Sequence, residues 1–278
     1  MNWRLLDSGA ADARTNMALD EAILSAHARN LAPPTIRFYT WEPAAVSLGK
    51  HQDAAAVLDE EACRRMGLDV VHRPTGGWAV IHDGDLCFSL VVAQRLLSVK
   101  GVMEAYRWLA RGIICGMKHL GFDVALIDSV RESSRVAAGF SLRSATRPFR
   151  GGYKVQQRHG TDLCCARAVG CDIKVNERKL IGSAQAQRSG VILQQNVVPL
   201  RQPRLEYASA FRDTTAAAAI AQAASLSALL GRNVSPDEVR TALVSGFSEA
   251  LQVTIEPETL LPQKAALECG DLSPLSPL

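Results

Sequence analysis

The sequence predicts an α+β fold in one large domain, with helices and strands interspersed along the chain, and three observations carry that expectation. Apolar residues recur at helical spacing in some segments, as at Leu19, Ala22, Ile23 and Ala26. Elsewhere they fall in short stretches of β-branched and aromatic residues, as in Thr35-Ile-Arg-Phe-Tyr-Thr-Trp41. With 278 residues, 47% of them hydrophobic and 21% charged, the chain also has the apolar mass to build a real core.

In chain order, residues 16–28 read as a first amphipathic helix, with Asp20 and Glu21 turned off its apolar face. Strands follow at 35–41 and at 45–48, the second ending at Gly49. Asp53 suits the N-cap of a helix over 54–66, which Gly67 would stop. Strands at 69–72 and 86–92 flank a glycine-bearing segment, and a long helix over 99–120 ends at Gly121. Residues 129–160 are rich in Arg, Ser and Gly without periodicity and read as a long loop. Strands at 172–175 and 179–181 are joined by Asn176-Glu177-Arg178 as a hairpin, and 190–198 is a further strand. The Ala-rich run 215–230 is helical, and Ser235-Pro236-Asp237-Glu238 is a capping box opening a last helix to about residue 251. This places one domain over residues 1–257 and an unpacked, proline-bearing tail over 258–278.

Composition removes several functions. The net charge of +3 is too mild for nucleic-acid binding, although a basic patch could still meet an acidic protein. The longest apolar runs are too short to cross a bilayer, and the N-terminus lacks a signal-peptide core, so a cytoplasmic protein is expected, with no nucleic-acid or membrane partner. Seven cysteines and no export signal argue for free thiols rather than a disulfide framework.

Three segments carry chemistry. In His72-Arg73-Pro74-Thr75-Gly76-Gly77-Trp78, paired glycines after a strand let the backbone approach a ligand, and Arg73 adds positive charge. His82 closes this segment. A Gly-Gly turn alone also suits a plain tight hairpin. The second segment is Lys179-Leu-Ile-Gly182-Ser183-Ala184-Gln185, where a lysine on a strand precedes a small-residue stretch and could point a cation at an anionic ligand. A solvated edge-strand lysine reads the same way. The third is Cys164-Cys165, with Cys171 downstream. A thiolate is a strong nucleophile, and a nearby ammonium favours it. On an extended strand the two neighbours would face opposite sides, so one at most enters a shared site. Each could equally be a small buried hydrophobe. A metal site from His159, Cys164, Cys165 and Cys171 lacks paired C-x₂-C spacing, so no metal is expected there.

The order and wording of these segments resemble the biotin/lipoate protein ligase catalytic family, in its lipoate ligase and octanoyltransferase branch. The resemblance runs from Asn16-Met-Ala-Leu-Asp-Glu21 through Val46-Ser-Leu-Gly49, Arg73-Pro-Thr-Gly-Gly77 and Ala79-Val-Ile-His-Asp83 to Lys179-Leu-Ile-Gly-Ser-Ala-Gln185 and Gly190-Val-Ile-Leu-Gln194. It implies mixed β-sheets flanked by helices in the biotin/lipoate protein ligase catalytic fold. Cys164 falls where the cysteine-dependent octanoyltransferases carry their nucleophile, and Asp85-Leu-Cys-Phe-Ser89 is nearer to their wording than to the ligases' Asn-x-Asn-Phe-Ser. The short C-terminus also lacks the extra domain of many ligases. Trp78 stands where the family usually has Gly or Arg, which bears on chain-length preference.

The resemblance therefore implies an acyltransferase that takes octanoyl from acyl carrier protein onto Cys164 and passes it to a lysine of a lipoyl domain or glycine-cleavage H protein. Lys179 would be the cation beside the thiol. Arg73, Gly76, Gly77 and His82 would shape the ligand pocket, and donors near Gly182, Ser183 and Ala184 would face the oxyanion. No cofactor or metal is required, because octanoyl arrives activated on the carrier's phosphopantetheine. Burying seven methylenes is worth roughly 5 to 6 kcal/mol, enough to select a medium chain but not to discriminate one methylene sharply. The alternatives are an ATP-dependent lipoate ligase, an amidotransferase between lipoyl-domain proteins, and a non-catalytic lipoyl- or biotin-binding protein.

Overall fold

A computed structural model describes residues 1–97, 99, 101–126, 162–166, 172–176 and 178–258. The expected loop over 129–160, Cys171, His159 and the tail after Glu258 lie outside these residues. The described elements are β1 (Asn2–Ala11), α1 (Ala13–Ala28), β2 (Thr35–Trp41), β3 (Ala45–Leu48), α2 (Ala54–Val57), α3 (Glu60–Arg65), β4 (Asp69–His72), β5 (Val80–His82) and β6 (Asp85–Ala93). They continue with α4 (Val102–His119), β7 (Ala125–Leu126), a 3-10 turn at Cys164–Ala166, β8 (Ile173–Val175), β9 (Arg178–Arg188), β10 (Val191–Pro199), α5 (Ala216–Gln222), α6 (Leu226–Leu230), α7 (Pro236–Leu251) and β11 (Thr254–Pro257).

The strands form a large sheet in the order β11-β1-β2-β6-β10-β9-β8-β7 and a small one in the order β4-β3-β5. Both are mixed: β1 runs parallel to β2 and β11 while β2, β6, β10 and β9 alternate, and β3 is parallel to β4 but antiparallel to β5. This is the α+β architecture the sequence predicts.

The centre of the large sheet is β6, buried along its whole length. Because side chains alternate across a strand, Phe88, Leu90 and Val92 pack with Leu109, Ile113 and Phe247 of α4 and α7, whereas Val91 and Ala93 pack with Ile23 and Leu24 of α1. Each such Leu or Phe contributes about 1.5–3 kcal/mol by leaving water. The small sheet has its own core, in which Val46, Leu48 and Ile81 meet Leu163, Tyr207 and Ile220.

Several boundaries differ from expectation, each for a local reason. The first helix begins three residues early because Asp12 caps it, accepting from the Thr15 N–H at 2.9 Å. Asp20, expected off the apolar face, is fully buried, because Arg37 of β2 reaches it at 2.8 Å in an ion pair. The helix over 54–66 is split at Leu58, which leaves the helical conformation and pairs with Phe211. The Ala-rich run is likewise broken, between Gln222 and Leu226. The last helix is capped as expected, Ser235 accepting from the Glu238 N–H at 3.1 Å, but the Glu238 carboxylate pairs with Arg232 instead of reaching back.

Candidate active site

The Gly-Gly segment folds back over the end of β3. A Cβ on Gly49 would overlap the Gly77 carbonyl, and Gly77 itself adopts φ +96°, so two glycines allow this close approach. Arg73 is buried at the centre of the turn. Its guanidinium donates to the Ser47 carbonyl at 2.9 Å, the Gly76 carbonyl at 2.7 Å and the Trp78 carbonyl at 2.8 Å. It thus sets the loop's shape as well as its charge. Gly76 serves as an acceptor within this turn and is not part of the cavity wall, whereas Gly77 and Trp78 line it.

Cys164 reaches the same place from a distant part of the chain. Leu163 bridges Ala79, and the Cys164 N–H donates to the Ala79 carbonyl at 2.8 Å, pinning the thiol-bearing turn to the loop before β5. The two cysteines sit on a 3-10 turn and not on an extended strand. Cys165 is exposed, its thiol 3.8 Å from the Ala219 carbonyl.

Lys179 arrives from β9. Its ammonium donates to the Cys164 sulfur at 3.0 Å and carbonyl at 3.1 Å, and pairs with Asp172 at 2.9 Å. Burial acts to lower the Lys179 pKa, but the Cys164 sulfur and the Asp172 carboxylate outweigh it and hold it above its ordinary 10.5. Gly182 leaves room for this arm, since a Cβ there would lie 3.3 Å from Lys179 Cε. Asp172, its side chain 1% exposed, also accepts from the Ser183 N–H at 3.3 Å, so one carboxylate fixes both the lysine and the strand behind it. The Ser183 hydroxyl donates to Asn196 at 2.8 Å. Ala184 contributes to the cavity wall.

Around these groups lies about 620 Å³ of space, lined by Trp41, Trp78, Val80 and Val197 and by buried Met17, Tyr39 and Cys87. A second space of about 630 Å³ shares Val80, Cys164, Lys179, Gly182 and Val197 with the first and continues past Leu163, Ile220 and Ala223 to exposed Arg201. The Cys164–Lys179 pair therefore stands where two cavities meet.

His82 is buried in the first cavity's floor. Nδ1 lies 2.7 Å from Asp85, Nε2 lies 2.8 Å from the Ser47 hydroxyl, and Trp41 stacks on the ring. Cys87 is a second thiol here, but burial first and then the Asp85 carboxylate push it well above its ordinary 9.0, which keeps it protonated. Of the two thiols in the first cavity's wall, Cys164 alone has an ammonium against its sulfur.

Asp172, Ser47, Trp41 and Asp85 were not singled out from the sequence. Asp172 had a signal: extending the expected 172–175/179–181 hairpin by one pair sets residue 172 opposite Gly182 and Ser183. Ser47 lies within Val46-Ser-Leu-Gly49 and Trp41 ends Thr35–Trp41, but nothing local in either stretch marks its side chain as one aimed into a site.

The profile of the lipoyl protein ligase A/B catalytic domain matches residues 12–248. The chain belongs to that family. Octanoyltransferase LipM of Symbiobacterium thermophilum is 37% identical to it over 93% of this chain and 90% of that protein. Among solved structures, lipoate-protein ligase A bound with ATP superposes with a TM-score of 0.69 at 25% identity, covering 96% of this chain and 92% of that one. A bipartite lipoate protein ligase of Thermoplasma acidophilum, studied with its E2 lipoyl domain, superposes with a TM-score of 0.66 at 24% identity over 96% and 90% of the two chains. The resemblance read from the sequence is thus borne out, and in this member of the lipoyl protein ligase A/B family the glycine loop, the lysine strand and Cys164 surround one cavity.

Proposed function

We propose that this protein is an octanoyltransferase of lipoate biosynthesis, in which Cys164 carries the acyl group as a thioester. The octanoyltransferase relatives support the activity. The observation that carries the choice of residue is the Lys179 ammonium 3.0 Å from the Cys164 sulfur, inside a largely apolar cavity. The Cys164 thiolate, with this ammonium against it, attacks the donor's thioester carbonyl. The tetrahedral oxyanion collapses, the carrier's thiol leaves as thiolate and takes a proton, and octanoyl remains on Cys164. A neutral lysine amine then attacks this second thioester, its nitrogen gives one proton to solvent, the tetrahedral species collapses to the amide, and the Cys164 thiolate is released.

Lys179 holds its proton in both halves, its charged form favoured by the Cys164 sulfur and by the Asp172 carboxylate paired with it at 2.9 Å. The acyl chain lies in the first cavity, between Trp41, Val80 and Val197 and under Trp78. The donor's arm, and later the acceptor's lysine, reach the sulfur through the second. Acyl carrier protein is the donor, and a lipoyl domain or glycine-cleavage H protein the acceptor, in keeping with the lipoyl-domain partner of the Thermoplasma ligase. Such carriers place the reaction in the cytoplasm. The donor thioester brings the activation energy, so neither nucleotide nor metal enters the chemistry. The ligase, amidotransferase and binding-protein alternatives are not favoured by the relatives.

Intact-mass spectrometry tests this reading. Mixing with octanoyl-acyl carrier protein should add one octanoyl group without ATP, reversibly by hydroxylamine, and Cys164→Ser should lose it while Cys165→Ser and Cys171→Ser keep it. An adduct that survives Cys164→Ser moves the nucleophile elsewhere. No adduct in the parent removes the transferase mechanism.

A further inference from the structure

Where α4 crosses α7, three ligand-type side chains converge at the surface, and none of them lines either cavity. Glycines dictate the meeting. A Cβ on Gly246 would overlap the backbone of Gly116, and one on Gly116 would come within 2.8 Å of Leu243 Cα, so the two helices touch backbone to backbone. Cys115 and His119, flanking Gly116, are four residues apart on α4 and share a face. Glu249 lies three residues after Gly246 on α7 and meets that face.

His119 Nε2 is the common point, 3.8 Å from Cys115 Sγ and 3.2 Å from Glu249 Oε2. All three ligand atoms lie within 4.8 Å of one another. An ion bonded tetrahedrally at about 2.3 Å to sulfur and about 2.0–2.1 Å to nitrogen and oxygen would set sulfur roughly 3.6 Å from nitrogen, and nitrogen roughly 3.3 Å from oxygen. The sulfur–nitrogen and nitrogen–oxygen spacings, 3.8 Å and 3.2 Å, lie within a few tenths of an ångström of these values. We propose that Cys115, His119 and Glu249 form a binding site for a zinc-like divalent metal ion, with water in the fourth position. On binding, Cys115 gives its proton to solvent and the thiolate, imidazole and carboxylate each donate one lone pair. The mixed S, N, O set suits a borderline-soft ion and not magnesium or calcium.

His82, Asp85 and Cys87 offer the same residue types without the same geometry. His82 Nδ1 and Asp85 are 2.7 Å apart, a hydrogen bond too short to admit an ion between them, and His82 Nε2 is engaged by Ser47. The surface triad has an open side for water, since His119 and Glu249 are exposed, and the close backbone contact of the two helices brings the ligand-bearing faces together.

The test uses cobalt(II) as a spectroscopic probe and zinc(II) in thermal melts, comparing the whole protein with Cys115→Ser, His119→Gln and Glu249→Gln. The parent should show a thiolate-to-cobalt charge-transfer band with intense tetrahedral ligand-field bands, and a melting temperature that rises with zinc. Cys115→Ser should lose that band and at least tenfold in zinc affinity, while melting like the parent without metal. A parent without the band, or a Cys115→Ser variant that keeps it, overturns the site. Should a variant fail to fold, zinc protection of Cys115 against alkylation in the parent decides, read by peptide mass: protection supports the site and equal labelling with and without zinc overturns it.

Discussion

At the scale of single residues, the proposed site rests on a partly buried three-member chain, Asp172–Lys179–Cys164, in which each contact is close to 3 Å. A hydrogen bond to a charged partner is worth about 1.5–3 kcal/mol, so Lys179→Met should slow octanoyl loading by roughly ten- to a hundredfold or more. Asp172→Asn keeps the shape and removes the charge; the expectation is a loss of about tenfold, read as the single-turnover rate of thioester formation. Loading unaffected by either change would make the lysine a bystander. The pH profile follows from the sign of the Lys179 shift. Its folded-state pKa is raised above 10.5, so the ammonium and the stability it lends are fully present below that value and are lost only as pH rises through the raised one. Loading should therefore show no descending limb from loss of the Lys179 proton up to that pH; a fall near pH 9 would assign the proton elsewhere. Cys164 and Lys179 were legible because each lies in a string of motifs with a fixed order. Asp172 was not, since a lone carboxylate at the start of a short expected strand looks like any strand-end residue until the partner strand is extended to Gly182 and Ser183.

At the scale of elements, local pattern located the strands Thr35–Trp41, Ala45–Leu48 and Asp69–His72 to the residue, because turn residues or glycine bound them on both sides. It missed β1, whose sequence Asn-Trp-Arg-Leu-Leu-Asp-Ser mixes periods; pairing with β2 and β11 makes it a strand, and neither partner is visible locally. It also shortened β9, whose Gln- and Arg-rich half extends to Arg188 only because β10 pairs it throughout. The same long-range placement sets α5 beside the Cys164 turn, where Ile220 and Ala223 wall the second cavity. If that cavity admits the carrier's arm, filling it should act on the arm and not on the thiol. Ala223→Trp is expected to raise KM for octanoyl-acyl carrier protein at least tenfold, yet to leave loading from the arm-free S-methyl thiooctanoate within about twofold. Equal losses with both donors would place the arm in another path, and a melt confirms that the variant is folded.

At the scale of the whole molecule, one buried polar network links the first helix to the Arg73–Gly77 loop. Asp20 accepts from Arg37 at 2.8 Å, Ser89 at 2.7 Å and Gln195 at 2.8 Å, and Gln195 in turn accepts from the Thr75 hydroxyl at 2.7 Å. Four elements, α1, β2, β6 and β10, thus meet on a single carboxylate that has no contact with water. Hydrophobic patterning could not reveal this, because it treats Asp20 as a solvent-facing residue of an amphipathic helix. An ion pair so buried adds little net stability when intact, but removing one partner strands the other charge at a cost of about 3–5 kcal/mol. Asp20→Asn should therefore lower the urea midpoint by that equivalent while the denaturant slope stays constant. Its second effect separates a mere stability defect from a link to the site. With Gln195 freed from Asp20, Thr75 loses its anchor and the Arg73–Gly77 turn loosens, so the folded variant at low temperature should still show a raised KM for the octanoyl donor. A donor KM equal to the parent's, at full foldedness, would confine the network to holding the sheet together.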